Sequence, residues 1–140
     1  MEKKISHLNM IQSIITRMGN NSFALKGWAV GIMIAVYAFA GNSNVKAVIV
    51  TLMPLIVFWF IDTYYLMLER KFRCLYDDVR IKDEKDIDFS MNPNDVKINL
   101  DEVKKYGFFS IFFSKSVLPF YLVCIATTLV IYFVKFYHIK

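Results

Sequence analysis

The chain has 140 residues, a length that suits one domain. It is 56% hydrophobic and 16% aromatic, with a mean hydropathy of +0.42. Its apolar residues fall in long blocks, which argues against an ordinary soluble domain. The formal net charge is +5, and most Lys and Arg flank the apolar blocks, so the basic balance reads as membrane topology and no nucleic-acid partner is expected.

Residues 1–21 read as a cytoplasmic amphipathic helix, with Leu8, Ile11, Ile15 and Met18 at spacings of three and four. A transmembrane hairpin follows over 22–65, with spans at about 23–40 and 46–65. Each apolar block approaches the ~20 residues that cross a hydrocarbon core, and backbone in lipid must be helical to satisfy its own polar groups. The first block, Phe23 to Ala40, is broken by Lys26. It carries a stripe of small residues: Ala24, Gly27, Gly31, Ala35 and Ala38. Gly27 and Gly31 form a GxxxG, so Gly27, Gly31 and Ala35 are helix-packing candidates, against the second span or against another subunit. "AFAGNS" (Ala38 to Ser43) has the look of a leader-peptide cleavage site. The long amphipathic segment before it, and the apolar run right after it, favour an uncleaved anchor.

The second block, Ala47 to Ile61, contains Pro54, which predicts a kink. From its end a 3-4 repeat runs on: Phe58, Ile61, Tyr65, Leu68, Phe72, Leu75, Val79. This seam leaves the membrane and becomes a stalk, with Tyr65, Leu68, Phe72, Leu75 and Val79 as its stalk members. Glu69 and Arg73 are placed to pair at i,i+4. A tight turn between the spans makes an antiparallel hairpin in which facing residues have numbers summing to about 88. Ile15 then faces Phe72, Met18 lies near Leu68 or Arg70, and Lys26 faces Asp62. Ionisable residues at membrane depth are costly unless paired or wet. Lys26 and Asp62 are therefore the candidate site, as an ion pair that locks the hairpin or as part of a pore lining.

Residues 66–116 continue as helix extension, β-hairpin and interfacial segment. The hairpin is expected at 87–100, where Ile87, Phe89 and Met91 alternate with polar residues, "NPND" follows, and Val96, Ile98 and Leu100 alternate again. Alone it would be marginal, so it should pack on the stalk or on a neighbour. Asp101 is a candidate cap for a short helix with Glu102 in its first turn. "GFFSIFF" (Gly107 to Phe113) reads as interfacial. A third transmembrane helix is expected over 117–136, with Ser116 as its cap and Pro119 in its first turn.

Fourteen of the Lys and Arg lie before the first span, on its border, or between spans two and three. Three, Lys46, Lys135 and Lys140, lie in the short loop and at the C-terminus. This asymmetry places the N-terminus and middle segment in the cytoplasm and the C-terminus outside. His7 and His138 read as surface residues, and Cys74 and Cys124 as unbridged. No catalytic set, phosphate loop or metal-ligand spacing can be assembled, so no enzyme, metal or cofactor is expected.

Four stretches, "NNSFALKGWAV" (Asn20 to Val30), "FWFIDTYY" (Phe58 to Tyr65), "ERKFRCLYDDVR" (Glu69 to Arg80) and "SVLPFYL" (Ser116 to Leu122), together resemble small bacterial membrane effectors of the SLATT type. The third span departs from their simplest two-span pattern. The resemblance implies an all-α inner-membrane protein that assembles as a homo-oligomer. Such proteins open or disrupt the membrane when a cytoplasmic protein or nucleotide signal arrives, as in antiphage defence. The alternative is an adaptor that recruits a cytosolic partner and conducts nothing.

Overall fold

A computed structural model describes residues 2–39, 45–94, 96 and 107–139. Helix α1 (Glu2–Phe39) runs 38 residues without a break, about 57 Å at ~1.5 Å per residue. The expected amphipathic segment and first span are thus one rod. Helices α2 (Val45–Val50) and α3 (Leu52–Ile81) form the returning rod. The ladder is interrupted at Thr51, three residues before Pro54. Proline has no N–H to give the Val50 carbonyl. Thr51 turns its Oγ1 onto the Val48 carbonyl at 2.6 Å, and its own carbonyl accepts from Leu55 N at 3.3 Å. A short α4 (Phe108–Phe112) precedes α5 (Leu118–Ile139).

Three helical stretches are long and apolar enough to cross a membrane: within Glu2–Phe39, Lys46–Ile81 and Leu118–Tyr137. α5 packs parallel to α1 and antiparallel to α3. Its early Tyr121 stacks on Trp59 of α3, and its later Thr128 bonds Tyr37 near the end of α1. The result is an up-down-up bundle from which α1 and α3 project as a two-helix stalk.

The stalk has its own core. Ile11 and Ile15 of α1 pack with Leu75, Val79 and Ile87, and Leu8, Phe72, Tyr76, Met91 and Val96 lie against them. At the stalk tip Lys4 Nζ donates to the carbonyls of Arg80 and Lys82 at 3.0 and 2.6 Å, two acceptors left over where α3 ends.

Three expectations are corrected. First, no strand occurs among the described residues of 87–100. The segment 87–94 lies along the stalk as irregular chain, with Lys71 Nζ donating to Asn94 Oδ1 at 3.1 Å. The reason is local. Asp88, Ser90 and Asn92, which look like the outward positions of a strand, each accept the backbone N–H two residues on, from Ser90, Asn92 and Asn94. Those contacts compete with a ladder. Phe89 adopts φ 55°, which breaks the pleat. The expected second strand, apart from Val96, lies outside the described residues, as do Asp101 and Glu102. Second, α5 starts at Leu118, so Ser116 stays in the preceding turn and does not cap the helix. The Ser114 carbonyl takes the N–H groups of Val117 and Leu118 instead. Third, His7 is buried at 5% exposure, with Phe89 edge-on at 5.5 Å. The described residues do not include the side chain of His138.

Candidate functional site

The junction of stalk and bundle holds a buried polar cluster built from three helices. α1 supplies Ser22 and Lys26, four residues apart and therefore one above the other on the same face. α3 supplies Asp62, which has no exposed surface. Lys26 Nζ lies 2.6 Å from Asp62 Oδ2 and donates to Ser22 Oγ at 3.0 Å. Ser22 Oγ in turn donates to Asp62 Oδ1. Both carboxylate oxygens are engaged by α1. From α5 comes Tyr121, fully buried, whose hydroxyl faces the same carboxylate without a hydrogen bond of its own among the described residues.

The neighbours explain why the carboxylate is dry. Trp59 stacks between Phe112 (4.2 Å between centroids) and Tyr121 (5.6 Å), and its indole N–H donates to the Phe112 carbonyl at 3.3 Å. Ile111 and Val117 are fully buried beside Tyr121. On the other side Ala29, Met33, Leu55 and Cys124 close the bundle. Thr63, next to Asp62, satisfies its hydroxyl on the Trp59 carbonyl inside its own helix at 2.7 Å. Two charges held in such a place are stabilised by each other and by the serine. Removing one would leave the other uncompensated, whereas removing both is far less harmful.

The register sum places the remaining candidates. Gly19 faces Glu69, where a Cβ would lie 3.7 Å from Glu69 Oε2. Glu69 is buried at 8% and pairs with Arg73 at 2.5 Å. Leu75 and Val79 are buried, while Tyr65, Leu68 and Phe72 are half-buried. Ile61 is exposed at 37%, outside the seam assigned to it. The buried line is Leu55, Asp62, Glu69, one residue further on at each turn than Ile61 and Leu68. Gly27, Gly31 and Ala35 do not pack on the second span within the chain. They lie on the exposed face of α1, and a Cβ on either glycine would meet nothing within 4 Å. Ala29, two residues away and buried at 1%, is the small residue at the helix contact.

Ser22 and Tyr121 were not singled out from the sequence. Ser22 carried a signal, since it lies one turn from Lys26 on the face toward Asp62. Tyr121 carried none, because the docking of the third span leaves no local pattern. The bond between Tyr37 Oη and Thr128 Oγ1, 2.5 Å, is a polar tie between α1 and α5. No disulfide joins Cys74 and Cys124. Among the described residues, no group of three or more His, Cys, Asp or Glu could hold a metal ion. No family model, curated protein or solved structure matches the chain.

Proposed function

We propose that the protein is an oligomeric inner-membrane effector that forms or gates a pore when a cytoplasmic protein or nucleotide signal reaches its stalk, as in antiphage defence. The stalk and N-terminus lie in the cytoplasm and the C-terminus outside. One observation carries this reading: the buried Ser22–Lys26–Asp62 cluster sits where the stalk becomes the bundle. α1 passes through that level without a break, and so does α3. A force on the stalk therefore reaches the ion pair through continuous helix. The pair acts as a latch: closed, it holds α1, α3 and α5 in one dry bundle; open, it exposes charge that only water or a pore can accommodate.

The test is membrane potential in cells expressing the full chain. Lys26→Met and Asp62→Asn should each raise basal depolarisation, and the Lys26→Met, Asp62→Asn pair should return it toward the parent level. Stable polarisation in all variants under activating conditions, with a monomer in detergent, overturns the reading. Accessibility labelling of Lys85 from the outer side would overturn the orientation.

The adaptor reading draws on a different observation. Asp62 has no exposed surface and faces packed helices, not a lumen. On that reading the latch is purely structural, Asp62→Asn changes stability and not conductance, and a cytosolic protein co-purifies with the stalk.

A further inference from the structure

We propose that the groove between α1 and α5 is a binding site for one anionic phospholipid, its acyl chain in the groove and its phosphate at Lys26 and Lys115. The proposal requires only that the helices cross a bilayer and is independent of any gating role.

The groove has a volume of about 610 Å³ and is lined by Val30, Met33 and Ile34 of α1 and Phe120, Val123 and Ile131 of α5. Its polar lining is already satisfied within the chain. The Tyr37 hydroxyl is bonded to Thr128, and Thr127 Oγ1 donates to the Val123 carbonyl at 2.8 Å. Among the described residues no lining hydroxyl is left to recognise a polar occupant, which favours hydrocarbon.

Length separates a lipid chain from a second helix. On α5 the groove runs from Pro119 to Ile131, about 18 Å at ~1.5 Å per residue. One leaflet of a ~30 Å hydrocarbon core is about 15 Å deep, whereas a transmembrane partner would need the whole depth.

Charge places the headgroup. Tyr37 meets Thr128 and Met33 packs with Cys124, so residues of α1 and α5 at one level differ by 91 in number. Lys26 is then level with the start of α5, and the exposed Lys115 lies in the turn that leads into it. Val30 stands one turn beyond Lys26 on the same face, so the apolar groove begins directly above a cation. Lys26 keeps 22% of its side chain exposed while bound to Asp62 and Ser22. An ammonium has three donors, so one remains for a phosphate oxygen. Lys26 is compensated by Asp62, so the net positive charge near this end of the groove is that of Lys115, which favours an anionic over a zwitterionic headgroup.

Native mass spectrometry of the full chain, delipidated in detergent and titrated with palmitoyl-oleoyl phosphatidylglycerol or the matching phosphatidylcholine, tests this. One phosphatidylglycerol should be retained per chain at a concentration at least tenfold below that needed for phosphatidylcholine. Lys115→Glu, on an exposed turn, should cut that preference at least threefold. Val123→Trp should fill the groove and weaken retention of both lipids, with helicity unchanged by circular dichroism. Equal retention of the two lipids overturns the proposal, as does undiminished retention in Lys115→Glu or in a folded Val123→Trp. Crosslinking of Ile34→Cys to a second copy in lipid vesicles would give the groove to a neighbouring chain and equally overturn it.

Discussion

The same pair of helices is held together in two different ways along its length. In the stalk, α1 and α3 meet through aliphatic side chains: Ile11 is fully buried, and Ile15, Leu75 and Val79 nearly so. In the bundle, between 17% and 28% of the most apolar window of each spanning helix is buried within the chain. There α1 and α3 still meet through Ala29, Met33 and Leu55, but the buried polar Ser22–Lys26–Asp62 cluster is added to the apolar contacts. Water supplies a driving force for burying aliphatic surface. Lipid does not, and helices there associate through close packing and polar contacts. With its apolar stretches in a bilayer, one hairpin would follow the rules of two solvents, and the Lys26–Asp62 pair stands where stalk becomes bundle.

The comparison is broken most severely at that boundary. Lys26→Met strands Asp62, which has no exposed surface, and should cost about 3–5 kcal/mol in unfolding experiments in detergent. Asp62→Asn should cost less, because Lys26 can extend its stem toward water. The Lys26→Met, Asp62→Leu double variant should recover most of the loss. Equal, additive losses would show that the pair is not coupled. Next, Ile11→Ala or Leu75→Ala should cost about 2–5 kcal/mol. That loss should appear as faster hydrogen exchange in the stalk, with the bundle unaffected. Tyr37→Phe should cost only about 0.6 kcal/mol, and at most about 1.7, as polar ties between helices in lipid usually do. Its effect should be confined to exchange in α5. Gly27→Ala with Gly31→Ala should leave the fold of the single chain intact or stabilise it by roughly 0.5–1 kcal/mol per site, since alanine favours helix and each site is open. A loss of self-association in the same variant, read by sedimentation in detergent, would show that another copy covers that face.

The long helices were legible because block hydrophobicity and the 3-4 repeat are properties of neighbouring residues. So was the register: a short turn fixes which residues face, and it brought Lys26 to Asp62. The phase of the seam was only half legible. Phe58, Tyr65, Leu68, Phe72, Leu75 and Val79 are buried or half-buried, but Ile61 is exposed, and the buried positions in the middle of the seam are Asp62 and Glu69. Reading apolar residues as the inner face fails where a charge is buried with a partner on another helix. The hairpin was misread for a related reason. Asp88, Ser90 and Asn92 are polar in alternation because they cap the chain locally, and a strand's outer face would show the same pattern. The role of Tyr121 needed the third helix in place.

Helix α4 leaves the molecule with an unequal outline. Phe108 and Phe112 pack against Phe60, and Phe109 and Phe113 stand exposed beside them. At that level the bundle is four segments wide, while at the far end it is three. In a bilayer such a wedge takes up more area in one leaflet than in the other. Inserted there, the chain would couple to leaflet tension and curvature.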